Sequence, residues 1–308
     1  MPHILLKFIS NPDWAESFLD GNLYMNTLYY FWNEYPLEVA GKEKEEYLQA
    51  HTGIDPDSYV VPINNILSRT QADMLEGTVG FSDDDPVTAD FGEHALTDTI
   101  YRAESYQYCN VCCFYRLDFT LQTASPGRSF IHYDIPSMDG FGDYVVIIKD
   151  EVEFIRRISK AAKGNSFDYL CGNVRYKKLK RNGSTVNLSN RNHIALRTED
   201  RVPIPDDMHT IRDCFVKTDF YSSQQEWRVA LYRGVKDTTA YVFQIGSLKD
   251  MACVVKKGDL ATEIDKWFNS GEIKSSRDGY SGTISRREMQ RKFVELGDNQ
   301  MQMIMFVG

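Results

Sequence analysis

The chain has 308 residues and a net charge of −9, with a pI near 5.2, which excludes a broad basic surface for nucleic acid or anionic membrane. Hydrophobic residues make up 42% and aromatic residues 13%, enough for a sizeable core in one large domain or two smaller ones. No apolar run approaches the roughly 20 residues that span a bilayer, and Met1-Pro2-His3-Ile4-Leu5-Leu6-Lys7 lacks the lead and cleavage site of a signal peptide, so a cytoplasmic protein is expected.

In chain order, residues 3–10 read as an apolar strand. Asn11-Pro12-Asp13 then starts a helix, with Asn11 as N-cap and Pro12 at the first helical position, and the helix ends at Asp20-Gly21. A strand is predicted over 22–31, a charged helix over 38–49, strands near 59–67 and 77–82, and a solvated turn at Asp83-Asp84-Asp85-Pro86. A central strand at 109–119 precedes a turn at Ser125-Pro126-Gly127. The second half continues with a strand at 143–148, a helix at 151–163, a strand at 168–176 and a basic hairpin or loop at 177–187. Residues 200–207 read as an exposed loop, and 211–217 and 227–232 as paired strands. Strands at 241–245 and 251–256 and helices at 260–269 and 285–296 follow, and the apolar tail 301–307 reads as a docked strand. The fold class implied is α+β, with mixed, mainly antiparallel sheets and flanking helices. No linker divides the chain: residues 1–274 are expected as one domain, with 275–308 a helix-and-strand extension packed on it.

Six cysteines raise the question of metal. Cys109-x-x-Cys112-Cys113 is the only cluster, whereas a structural zinc site usually supplies two ligand pairs. On a strand, Cys109 and Cys112 point to opposite faces. Small buried hydrophobes in a reducing compartment are the expectation, with no metal. Gly140-Phe141-Gly142-Asp143 lacks the third glycine and following helix of a phosphate loop.

The most informative stretch is Phe220-Tyr221-Ser222-Ser223-Gln224-Gln225-Glu226-Trp227-Arg228-Val229-Ala230-Leu231-Tyr232. Trp227, Val229 and Leu231 fall on one face and Arg228 on the other, the period of a half-buried strand. Glu226 then stands at the lip of a sheet, either as a catalytic carboxylate or as an edge-strand charge paired to Arg228 or Lys217 for solubility. Gln224-x-Glu226 resembles the Gln-x-Glu signature of ADP-ribosyltransferases, in which the Glu holds the ribose of NAD and stabilises the cationic sugar as nicotinamide leaves. The opening, a strand at 5–10, a helix closing on Phe18-Leu19-Asp20-Gly21 and then Asn22-Leu23-Tyr24-Met25, is similar to that of ADP-ribosyltransferase-fold proteins of the DNA-modifying toxin and RNA 2′-phosphotransferase type. It also resembles a widespread uncharacterised bacterial family with a late Lys…Glu-x-Arg strand, here Lys217…Glu226-Trp227-Arg228.

These resemblances imply a split-sheet core with insertions and NAD as substrate. They assign Glu226 to electrostatic stabilisation of the sugar and Gln224 to orienting an acceptor. Lys7 takes the first-strand place of His or Arg, with His3 as a second candidate, and Tyr24, Tyr30 and Arg228 complete the cofactor contacts. Tyr24, Asn26, Leu28 and Tyr30 share one strand face, so an aromatic stripe there serves either a ring or the core. The implied function is an NAD-dependent ADP-ribosyltransferase or NAD glycohydrolase, as a bacterial toxin or anti-phage effector with a macromolecular acceptor or protein partner. The alternatives are a non-catalytic binding or regulatory module of the same fold, or an unrelated hydrolase or nuclease using the scattered acids.

Overall fold

Asn11 and Pro12 separate the first strand from the first helix: the Asn11 side chain accepts from the Asp13 amide at 2.8 Å, and Pro12 occupies the helix start. A computed structural model describes residues 3–51, 80–82, 98–103, 107–125, 128–133, 141–177, 180–181, 184–185, 201–203, 211–270, 281–283 and 300–306. It begins with β1 (His3–Ile9), α1 (Pro12–Leu19), β2 (Asn22–Thr27), a π-helical turn (Tyr30–Glu34) and α2 (Tyr35–Ala50). Then come β3 (Gly80–Ser82), β4 (Asp98–Ala103), β5 (Asn110–Asp118), β6 (Thr120–Ser125), β7 (Arg128–His132), β8 (Tyr144–Ile148) and α3 (Glu151–Gly164). Next are β9 (Asp168–Asn173), β10 (Arg175–Lys177), β11 (Lys180–Arg181), β12 (Ser184–Thr185) and β13 (Arg201–Pro203). A 3-10 turn (Ile211–Phe215), β14 (Val216–Thr218) and a second 3-10 turn (Asp219–Gln224) lead into β15 (Glu226–Tyr232). The chain closes with β16 (Tyr241–Gln244), β17 (Ala252–Lys256), α4 (Leu260–Ser270), β18 (Ser281–Thr283) and β19 (Gln300–Phe306).

The fold is α+β and mainly antiparallel. The large sheet runs β17-β8-β1-β5-β15-β9-β18, with β2 joined to β5 and β16 joined to β2. One face packs against α1 and α3: Leu5, Phe114, Trp227 and Val229 meet Phe18 and Leu19 from α1 and Phe154 and Ile158 from α3. Two separate covers protect the other face. α4 lays Leu260, Ile264 and Trp267 on Ile4, Leu6, Tyr115 and Leu117. The 211–215 turn lays Ile211, Cys214 and Phe215 on Val111, Leu170, Ala230 and Tyr232. Cys109 and Cys112 fall in different clusters, as strand alternation requires.

Four segments differ from the sequence expectation. β2 stops at Thr27, whose hydroxyl accepts from the Tyr30 amide at 3.3 Å and donates to the Thr238 carbonyl at 2.8 Å. That hydroxyl acts as a cap, so residues 28–31 turn helical instead of extending the strand. Residues 211–217 do not pair with β15, because both edges of β15 are taken by β5 and β9. The segment forms a 3-10 turn and the short β14, which pairs with β10 in parallel. The 168–176 run breaks at Val174 into β9 and β10, and 201–203 is a strand rather than loop. The expected elements at 59–67 and 285–296, and Asp83-Asp84-Asp85, lie outside the described residues.

Gly21 has φ of +94°, and a Cβ there would stand 2.1 Å from the Gly246 carbonyl oxygen. Gly41, inside α2, has open space around it. Gly21→Ala is therefore expected to cost about 2 kcal/mol or more, while Gly41→Ala stabilises by about 0.5–1 kcal/mol. Chemical denaturation of the two variants reads the opposite signs.

Candidate functional site

The site is made where two central strands part. β1 pairs with β5 from His3↔Asp118 to Leu6↔Tyr115. Beyond that point β1 stays with β8 as far as Ile9↔Tyr144, while the start of β5 takes β2 at Val111 and Asn110. Between the two pairings, the Cys112–Phe114 stretch of β5 has β15 on one side and a cleft on the other. This opening falls between the two covers of the sheet. Leu6, Phe8 and Tyr115 line it from the α4 side, Val111 and Cys113 form its floor, and Tyr24, Asn26 and Phe31 contribute from β2 and the π-helical turn. Lys217, Gln224 and Glu226 complete the wall. The cleft offers about 140 Å³, close to the roughly 150 Å³ of a cavity that holds one benzene-sized ring.

Lys7 belongs by alternation with Leu5 and Ile9, yet its side chain reaches into the parting. Its ammonium donates to the Cys113 carbonyl at 2.9 Å and lies 5.8 Å from the centre of the Phe114 ring. Lys7 thus satisfies a strand carbonyl exactly where the strand partner is missing, and brings a positive charge to the cleft.

Glu226 is the opposite pole. Gln225, with φ of +38°, is a left-handed non-glycine residue that turns the chain sharply into β15. Its amide donates to the Ser222 carbonyl at 3.2 Å, and its carbonyl accepts from the Arg116 amide at 2.9 Å. The Glu226 amide donates to the Tyr176 hydroxyl at 2.7 Å. Its carboxylate, on a residue only 6% exposed, is shared by two cations. Arg228 donates through Nε to Oε1 at 2.7 Å and also through Nη2. Lys217 donates to Oε2 at 2.9 Å and to the Gln224 side-chain oxygen at 3.0 Å, and its ammonium sits 5.2 Å from the Tyr221 ring centre. Arg228 Nη1 donates to the Cys214 carbonyl, which ties the 211–215 turn to the sheet. Burial pushes the Glu226 carboxyl upward, but Arg228, Lys217 and a hydrogen bond from Cys113 outweigh it and hold the group down at about 2.

The sequence-derived site residues therefore divide. Lys7, Tyr24, Gln224 and Glu226 line one cleft. Tyr30 does not: its hydroxyl donates to Glu38 at 3.0 Å from the π-helical turn, and Phe31 takes the wall position because the chain there is helical. Arg228 stands behind Glu226, fully buried, as its ion partner. The expected lip of an edge strand is instead the first residue of an interior strand buried along its whole length, so Glu226 is not a solubility charge. His3, the other first-strand candidate, is paired with Glu151 at 2.8 Å, both of them buried. Tyr176, Phe141 and Cys113 were missed. The face of Cys113 follows from its register opposite Arg228, but the arrival of Tyr176 depends on the parallel β10–β14 pairing, which short segments do not announce. All six cysteines are free thiols, four of them buried. No group of three potential metal ligands stands together among the described residues.

No family model, curated protein or solved structure matches this chain.

Glu226→Gln removes the charge that Lys217 and Arg228 share in the interior. Leaving buried cations uncompensated costs about 3–5 kcal/mol, so equilibrium unfolding of the variant should lose that amount at neutral pH. Because the folded-state value lies below the ordinary 4.5, the stabilisation is present above about 4.5 and is lost as pH falls toward 2. The stability difference between wild type and Glu226→Gln should narrow over that acid range. An unchanged difference would mean that the carboxyl titrates alike in the folded and unfolded chain, so that Arg228 and Lys217 do not hold it down.

Proposed function

We propose that the parting between β1 and β5 is a binding cleft for an anionic, ring-bearing ligand, with NAD the ligand that the Gln224-x-Glu226 resemblance favours. The observation that carries this reading is the charge on the wall. Lys7 and Lys217 line the cleft, Arg228 lies directly behind it, and Glu226 is the single carboxylate among the lining residues. At an effective dielectric near 20, a unit charge about 4 Å from a ligand phosphate is worth roughly 4 kcal/mol. That balance draws in a phosphate and opposes an isolated cationic sugar. Aromatic faces from Phe31, Tyr115 and Phe141 suit a flat ring in a space of benzene size. Glu226 in this reading keeps two buried cations charged and in place, and the protein acts as a binding or regulatory module.

A second reading, NAD cleavage by transfer or hydrolysis, draws on one feature. Lys217 holds Oε2 while Arg228 holds Oε1. A ligand phosphate that drew Lys217 away would leave Oε2 free to face the ribose as nicotinamide departs. The toxin or anti-phage role, and any macromolecular acceptor, belong to this second reading.

One titration separates the two. NAD is added to the purified chain in a calorimeter, and free nicotinamide is measured in the same samples. The binding-module reading expects saturable heat that weakens with salt, weakens on the order of tenfold in Lys7→Met, and comes without nicotinamide. Catalytic release of nicotinamide moves the assignment to the cleaving enzyme. Absence of both binding and release removes NAD as the ligand.

A further inference from the structure

We infer that the outward face of the β2–β16 ribbon is the seat of the second, purine ring of a dinucleotide whose first ring fills the cleft. This rests on the proposed binding of NAD and adds where the rest of that ligand lies. Three observations carry it. The first is size: the cleft holds a single ring, so a ligand with two rings joined by a pyrophosphate must continue outside it. The second is continuity. Tyr24 lines the cleft and is nevertheless 60% exposed, because Leu23 and Met25 carry the buried face of β2 while Tyr24 points outward. The third is the neighbour. Val242 stands directly opposite Tyr24 in the β2–β16 register and is 47% exposed, which gives an aromatic–aliphatic shelf running from the cleft mouth. Directly opposed side chains on one sheet face lie about 5 Å apart, so the pair spans about one ring.

Side-chain amides border this shelf, and the Asn22 amide nitrogen also donates to the Ser17 hydroxyl at 3.2 Å. Asn22 and Gln244 face each other at the next outward pair of the same register, and Gln244 is exposed. A side-chain amide offers both donor and acceptor, as the hydrogen-bonding edge of a purine requires. A plain hydrocarbon would have no use for it. A pyrophosphate joining the two rings would leave the cleft past the wall that Lys7 and Lys217 contribute.

The test compares NAD with nicotinamide mononucleotide, which keeps the first ring and one phosphate but lacks the purine. Affinities are measured by calorimetry for wild type, Tyr24→Ala, Tyr24→Phe and Val242→Asp, with thermal melts as a folding check. Stacking of a base on an aromatic side chain is worth roughly five- to a hundredfold. The inference expects wild type to bind NAD more tightly than the mononucleotide. Tyr24→Ala should weaken NAD by about tenfold or more, and by several-fold more than it weakens the mononucleotide, because Tyr24 borders both ring positions. Tyr24→Phe should retain NAD affinity, and Val242→Asp should weaken NAD alone, by placing a carboxylate beside the ring and the pyrophosphate. Equal weakening of both ligands in Tyr24→Ala would assign Tyr24 to the cleft ring and overturn the shelf. So would equal wild-type affinity for the two ligands. Mononucleotide binding with no gain for NAD therefore fails the shelf alone, whereas failure of both ligands to bind fails the NAD reading and the shelf with it.

Discussion

The buried carboxylate of Glu226, held between Arg228 and Lys217, is the interaction on which the rest of the site depends. Each partner is almost fully withdrawn from water, so none of the three charges is tolerable without the others. The cluster also joins separate pieces of chain. Glu226 and Arg228 come from β15, Lys217 from β14, Tyr176 from β10, and Arg228 reaches the Cys214 carbonyl of the 3-10 turn. Such a buried network contributes more to fixing one arrangement than to net stability, because desolvation offsets much of the Coulombic gain. Its effect here is to hold the 211–224 segment over one half of the sheet and leave the other half to α4. The cleft is what remains between them.

The parting of β1 and β5 has its own structural cost, since strand carbonyls along an open edge need partners. Lys7 supplies one, and the choice of lysine follows from the geometry. A single flexible ammonium can reach across a gap to one carbonyl and keep donors available for a second acceptor. A guanidinium in the same place would bring a wider planar fork, better suited to a bidentate oxyanion than to one backbone oxygen. Lys7 therefore meets the Cys113 carbonyl as a point charge rather than as a planar fork.

Much of the fold was legible in the sequence because its signals are local. The Asn11-Pro12 cap, the positive-φ Gly21 and the two-residue alternation of 226–232 each depend on a few neighbouring residues, and each element stands where expected. The errors arose where a distant group decides. Alternation alone cannot show that β15 lies between β5 and β9, because a second buried face that carries Glu226 and Arg228 looks like a solvent face. Tyr30 was placed on a strand because aromatic residues favour strands, whereas one threonine hydroxyl, bonded to Thr238 far along the chain, ends β2 early. Lys7 and Glu226 could be paired through family resemblance, but the register that brings them together is a property of the sheet.

The sign of the cleft also has to be reconciled with a chain that carries a net charge of −9. At physiological salt the Debye length is about 8 Å, so exposed acids elsewhere on the surface are largely screened from a ligand already in the parting. Lys217 and Arg228 are buried beside the cleft and Lys7 is half-buried in its wall, where screening is weaker. A long polyanion would meet repulsion from the net negative charge along its whole length. A small anion that enters ring first meets the exterior only briefly and then the local excess of positive charge. For the proposed site, net charge and cleft charge would thus act on different ligands: the first disfavours large anions by their extent, and the second would favour small ones by their fit.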